Sequence, residues 1–161
     1  MEIYGDYITS IKRAFEEIDK NYDKYEALVI GGSHNPKDIE FLLGEIRKAR
    51  ERKTPFYGEC WGYQLAAIEY AKNVLGIKDA TSEEWGKGTF VVKKRKDGLN
   101  VGLRNGESYW NNYEVDLPDW KIPNNFFIAQ YHASYQSSIF NKHKLIKDFI
   151  KYARMAMQNS K

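Results

Sequence analysis

One ten-residue stretch, Pro55-Phe56-Tyr57-Gly58-Glu59-Cys60-Trp61-Gly62-Tyr63-Gln64, and the pattern that follows it set the architecture of this chain. The apolar pair Phe56 and Tyr57, bounded by Pro55 and Gly58, is typical of a short buried strand. Apolar residues then recur at helical spacing as far as Leu75, which predicts a helix immediately after that strand. The sequence therefore predicts a strand that turns sharply into a helix.

Cys60, the only cysteine, lies at this turn between Gly58 and Gly62. The glycines permit a sharp backbone turn and leave room for another group to approach the sulfur. This is the nucleophile-elbow pattern, better known with serine. Because a helix N-terminus stabilises a thiolate, we expect a thiol pKa below the ordinary value of about 8.5. A lone cysteine is also compatible with a small buried core side chain, and both interpretations remain open here.

The run GECWGYQLAAIEYAKNVLGIKDATSEEW, residues 58–85, resembles the nucleophile segment of class I (triad-type) glutamine amidotransferases. Within that family it is most similar to the glutaminase domain of CTP synthase, and the resemblance covers about residues 26–140. The resemblance implies an amide hydrolase that forms a thioester on Cys60 and acts on a small-molecule amide, either glutamine-like or γ-glutamyl. It implies neither a cofactor nor a metal. The alternative hypothesis is a catalytically silent binding or regulatory domain of the same fold.

A second strand-to-helix unit precedes the first. Residues 27–30 are apolar, Gly31-Gly32-Ser33-His34 follow, and Asn35 with Pro36 is predicted to open the next helix. Alternating strands and helices indicate a parallel sheet, in which the loops after the strands meet at one edge. We therefore expect the glycine loop to face Cys60.

Three short apolar segments separated by glycine-bearing turns follow Gly76, and an apolar strand at 126–131 and a closing amphipathic helix come after them. The predicted fold class is α/β: a flavodoxin-like three-layer sandwich with a mostly parallel central sheet and a small antiparallel extension. We expect residues 1–161 to form a single amidotransferase-like domain.

The histidines differ in context. His132 ends the strand at 126–131 and resembles in position the family's catalytic histidine. His34 follows the double glycine, where a helix-capping loop role is favoured over a role in the site. His143 opens the last helix and is expected to be solvated. The resemblance also implies that backbone N–H groups near Gly32 and Trp61 bind the oxyanion.

The first departure from the family pattern concerns the triad acid. The family has glutamate two residues after the histidine, whereas this chain has Ser134. Two hypotheses remain for the acid. Glu59, beside the nucleophile, completes the site, or strand alternation turns Glu59 towards a helix layer and leaves a Cys–His pair. In the second case Glu59 would raise the thiol pKa.

The second departure concerns the substrate. Gln64 and Glu84 match positions that the family uses to hold glutamine, Glu84 facing the α-amino group. Asn112 stands where the family has an arginine that pairs with the α-carboxylate. Since an amide cannot replace a bidentate guanidinium pair, a substrate without a free carboxylate is favoured over free glutamine.

Composition argues against a membrane-spanning protein and against a nucleic-acid-binding protein. The chain has 161 residues, a net charge of +3 and no apolar run of membrane-spanning length. A single cysteine and the lack of a signal-peptide pattern predict a cytoplasmic protein. The basic run 93–96 ends in Asp97-Gly98, which is typical of a solvated hairpin tip rather than a nucleic-acid surface. No P-loop sequence occurs, so either a separate synthetase chain accepts the ammonia or the protein simply hydrolyses its substrate.

Overall fold

The computed structural model describes residues 1–136 and 142–160 of the chain. The helices and strands follow one another in this order: β1 (Glu2–Tyr4), α1 (Ile8–Glu16), β2 (Leu28–Ile30), α2 (Ile39–Arg52), β3 (Phe56–Glu59), α3 (Trp61–Asn73), β4 (Ala80–Ser82), β5 (Thr89–Lys94), β6 (Asn100–Arg104), β7 (Glu107–Asn111), β8 (Tyr113–Val115), β9 (Phe126–Ala129), α4 (Ala133–Gln136) and α5 (Lys144–Asn159).

The central sheet has the strand order β1-β2-β3-β9, and each neighbouring pair is parallel. Helices α2 and α3 cover one face, and α1 and α5 cover the other. The predicted three-layer α/β sandwich is therefore confirmed. Its central strands are buried on both faces, which explains why their sequences are continuously apolar rather than alternating.

The side chains of β3 point alternately towards the two helix layers. Phe56 packs in the core cluster under α2 and α3, whereas Tyr57 packs in the cluster under α1 and α5. Because side chains alternate along a strand, Glu59 shares the face of Tyr57. The alternation thus directs Glu59 towards the layer that also contains α4, while Cys60 follows at the end of the strand.

The predicted antiparallel extension is present as two small sheets. Strands β6 and β7 form an antiparallel hairpin, and β5 pairs antiparallel with β8. Strand β4 pairs parallel with β5, so that sheet is mixed. The basic run 93–96 is mostly exposed and ends in a turn, as predicted. The turn is not a hairpin tip, because Lys93 and Lys94 belong to β5, which pairs with β4 and β8 rather than with β6.

The start of α2 also differs from the prediction. The helix begins at Ile39 and its N-cap is Asp38, which has a left-handed backbone (φ 55°), so Asn35 does not cap it. Instead, Ser33 Oγ accepts a hydrogen bond from the Asn35 backbone N–H and donates one to Asp6. These local bonds compete with helix formation and hold residues 33–35 in a loop.

Within the described ranges, no helix combines the length and the apolar character needed to cross a membrane.

Candidate active site

The Cys60 elbow is strained and tightly packed. Cys60 has φ 50° and ψ −99°, a conformation that non-glycine residues rarely adopt, and it directly precedes α3. Gly62 lets the helix approach β2, since a Cβ at that position would lie 2.1 Å from the carbonyl oxygen of Ile30. Strain of this kind is concentrated at functional sites, where the surrounding packing maintains it.

Two groups contact the sulfur. The Cys60 thiol lies 3.6 Å from the carbonyl oxygen of Trp110, to which it donates. The side-chain amide of Gln130 donates to Sγ from 3.4 Å. Sequence reasoning identified neither partner, because each lies 50 or more residues away along the chain.

The surroundings of Cys60 favour the protonated thiol, contrary to the expectation of a lowered pKa. Burial raises the pKa of Cys60 to about 12, the negative charge of Glu59 adds to this, and the Trp61 backbone N–H opposes it. Only 7% of the residue is exposed. The cost of desolvating the thiolate is therefore larger than its stabilisation by the helix N-terminus, from which a lowered pKa was predicted.

His132 is buried at the same edge of the sheet. Its backbone N–H donates to Ser108 O at 2.7 Å, which fixes the loop after β9. Its ring lies so close to Gly32 that a Cβ there would be 2.8 Å from His132 Cε1. Burial lowers the pKa of the imidazole, and the backbone of Trp110 opposes this effect. By strict geometry, neither ring nitrogen makes a hydrogen bond within the described residues. Because a lowered pKa favours the neutral ring, the imidazole can accept a proton.

The Glu59 carboxylate is fully buried on the side of the sheet where the His132 loop and α4 lie. Its Oε1 accepts from the Ser134 N–H at 2.7 Å and its Oε2 from the Ser134 hydroxyl at 2.9 Å, and Tyr57 also donates to it. Glu59 Oε2 lies 3.9 Å from His132 Nδ1, beyond a hydrogen bond but within range of a direct charge interaction. Burial raises the pKa of Glu59. Ser134, at the family's acid position, thus holds a carboxylate that comes from β3.

A pocket opens at the sulfur and brings together the residues predicted to bind substrate. Cys60, Gln64, Glu84 and Asn112 all line it. Its volume is about 40 Å³, well below the roughly 300 Å³ typical of small-molecule sites, so the pocket is small. Burial raises the pKa of the Glu84 carboxyl.

Aromatic side chains line the pocket or pack against its lining. The rings of His34 and Trp110 lie 5.1 Å apart, and both residues line the pocket. His34 lies in a loop, as predicted, and this loop reaches the pocket. Tyr7 packs edge-on against both His34 and His132.

His143, expected to be solvated, caps α5 and lies 2.9 Å from Glu107 on β7.

The described residues contain no group of three or more His, Cys, Asp or Glu side chains arranged to hold a metal ion.

The chain is similar to known proteins in sequence and in structure. The family model "Glutamine amidotransferase class-I" matches residues 7–146. A CTP synthase from Methanoculleus marisnigri is 51% identical over 94 residues, 58% of this chain and 18% of the relative. A CTP synthase from Coprothermobacter proteolyticus is 30% identical over 148 residues, 90% of this chain and 26% of the relative. The chain therefore matches only about a fifth to a quarter of these relatives' length.

A solved structure supports the fold. The glutaminase domain of Trypanosoma brucei CTPS with bound acivicin has a TM-score of 0.75 to this chain. The comparison covers 96% of this chain and 93% of that chain, at 18% sequence identity. At this identity the likeness supports the architecture alone.

Proposed function

Since this chain belongs to the class I glutamine amidotransferase family, we propose that it hydrolyses a side-chain amide of a glutamine-like or γ-glutamyl small molecule through a thioester on Cys60. The observation that carries the proposal is that the strained Cys60 opens onto the same pocket as Gln64, Glu84 and Asn112. A cysteine that only fills the core requires neither a strained backbone nor polar side chains around its sulfur.

The proposed reaction begins when Cys60 Sγ attacks the amide carbon while His132 accepts the thiol proton. The carbonyl oxygen becomes an oxyanion, for which the backbone N–H groups of Gly32 and Trp61 are the proposed donors. His132 then gives the proton to the leaving nitrogen, the C–N bond breaks, and an acyl thioester remains. Water, deprotonated by His132, hydrolyses the thioester and releases the acid and free Cys60.

Glu59 is the proposed third member of the site. It carries the only carboxylate oxygen within 4.0 Å of a His132 ring nitrogen in the described part of the chain. As an anion it would stabilise the imidazolium that forms when the thiol is deprotonated. The proposed substrate contacts are Gln64 and Glu84, with Glu84 placed to receive an α-amino group and Asn112 to contact the position of the α-carboxylate.

Ammonia released here has two possible fates. A separate synthetase chain accepts it, as the similarity to CTP synthase suggests, or it diffuses into solution. The proposed working environment is the cytoplasm, and neither nucleic acid nor a membrane is proposed as a partner.

The second candidate is a silent binding or regulatory domain. The small volume of the pocket and the thiol pKa of about 12 favour it, because both oppose turnover. The two candidates differ in one outcome: only the enzyme forms a covalent acyl intermediate on Cys60.

The test is ammonia release from glutamine and from glutamine with an amidated carboxylate, with hydroxylamine added to trap the thioester. The proposal predicts hydroxamate formation by the wild-type protein and a loss of about a thousandfold or more in kcat for Cys60→Ala. Binding of either compound without hydroxamate, equal in the wild type and Cys60→Ala, would instead establish the silent domain.

A further inference from the structure

Gln130 lies on the loop between β9 and α4, two residues before His132, and its side chain reaches the nucleophile. Its Nε2 is 3.4 Å from Cys60 Sγ. Its Oε1 accepts from Gln64 Nε2 at 3.3 Å, and the same Gln64 nitrogen donates to Tyr113 O at 3.2 Å. The sulfur is thereby connected to a residue of the substrate pocket through one intervening amide.

The direction of this chain of hydrogen bonds is fixed by its end. The Tyr113 carbonyl can only accept, so the Gln64 group beside it is the NH₂ and not the oxygen. The second N–H of Gln64 then requires an acceptor, which is Gln130 Oε1. It follows that Gln130 presents its NH₂ to the sulfur, as a donor.

We propose that Gln130 is a further functional residue of this site, which donates a hydrogen bond to the Cys60 thiolate and is held in that orientation by Gln64. The proposal rests on Cys60 being the nucleophile of the proposed function and adds a residue that the family resemblance did not supply.

The surroundings of the sulfur show why such a donor is needed. The Trp110 carbonyl accepts from the thiol and so favours the protonated form, and once the proton leaves, its oxygen faces an anion. Gln130 acts in the opposite direction, because a hydrogen bond to a charged acceptor is stronger than one to a neutral acceptor. Burial raises the pKa of Cys60, and the hydrogen bond from Gln130 opposes that rise.

The experiment measures alkylation of Cys60 by iodoacetamide between pH 7 and pH 9, followed by mass spectrometry. Gln130→Met keeps the length of the side chain and removes the donor. Losing a hydrogen bond to a charged group, partly offset by the greater nucleophilicity of a more basic thiolate, should slow alkylation about three- to tenfold at each pH. If Gln130 had only a structural role, its replacement would loosen the packing around Cys60 and speed alkylation. The direction of the change in alkylation rate therefore distinguishes a hydrogen-bond donor from a packing residue.

Two further variants complete the design. Gln64→Met removes the group that orients Gln130, so it should also slow alkylation, and the double variant should be no slower than Gln130→Met alone. Gln158→Met, the same change at an exposed position of α5, should match the wild type. Unchanged or faster alkylation in Gln130→Met, or additive effects in the double variant, would overturn the proposal.

The readout requires no turnover, so its failure can be told apart from failure of the proposed function. If the protein hydrolyses no amide but Gln130→Met slows alkylation, the role of Gln130 is supported and the hydrolase function is refuted. If the protein forms the thioester but Gln130→Met leaves the alkylation rate unchanged, the hydrolase function is supported and the role of Gln130 is refuted.

Discussion

The carboxylate of Glu59 approaches His132 from the strand that carries the nucleophile, and Ser134 binds that carboxylate through both its N–H and its hydroxyl. The sequence indicates the missing acid at Ser134 and names Glu59 as a candidate. It cannot show that the two residues meet, because they are 75 positions apart and belong to different elements. It also predicts the wrong direction for the thiol pKa, since the helix N-terminus is visible in the sequence and the burial of Cys60 is not.

We expect Glu59→Gln to reduce kcat about a hundredfold, because a neutral amide cannot stabilise imidazolium at His132. Ser134→Ala should cost much less, since Glu59 keeps its bonds from the Ser134 N–H and from Tyr57. Steady-state kinetics on the substrate that gives hydroxamate measures both variants, with thermal unfolding as the control for folding. A Glu59→Gln variant as active as the wild type would leave a bare Cys–His pair as the catalytic unit.

At the scale of elements, β7 joins the extension to the site. Its Trp110 carbonyl accepts from the Cys60 thiol, and its Ser108 carbonyl accepts from the His132 N–H. The sequence predicts strands in this region from their apolar character and turns, and the structure confirms those near residues 90–92 and 101–103. The strand predicted at 110–115 is instead divided between the end of β7 and β8, which belong to different sheets. Their contact with the nucleophile was not predicted, because it depends on how the hairpin packs on the central sheet and not on local pattern.

The Trp110 side chain, which is 47% exposed, is expected to restrict entry to the pocket by packing against His34. Aromatic pairs of this kind contribute about 0.5–1.5 kcal/mol, so Trp110→Ala should increase the open population and speed iodoacetamide alkylation of Cys60 about two- to tenfold. Trp110→Phe keeps a ring at this position and should stay close to the wild-type rate. Equal rates in all three proteins would show that the His34–Trp110 contact does not limit access.

At the scale of the whole molecule, the parallel sheet brings the Gly32 loop, the Cys60 elbow and the His132 loop to one edge. This convergence could be predicted from the strand–helix alternation alone. The charges that line the pocket could be identified only from the structure. Glu84 is the only carboxylate that lines it, and neither lysine nor arginine lines it among the described residues. A net charge of +3 for the chain therefore says nothing about the sign of the field at the site.

A pocket with one carboxylate and no permanent cation should favour a substrate that has a free α-amino group but lacks a free α-carboxylate. We expect the wild-type kcat/KM to be higher for glutamine α-methylamide than for glutamine. Asn112 is exposed at the pocket lining, so an arginine there can reach a ligand without being buried. Asn112→Arg should restore a charge-assisted pair and improve the use of free glutamine by roughly a hundredfold.

Ammonia release from the two compounds measures this preference directly, because hydrolysis at the α-position of the methylamide yields methylamine instead. Asn112→Gln lengthens the side chain without adding charge and should leave the preference unchanged, which separates the effect of charge from that of size. The gain in Asn112→Arg should appear mainly in KM, since the carboxylate is bound equally in the ground state and the transition state. Turnover of free glutamine by the wild-type protein at a micromolar KM would contradict this account of the pocket.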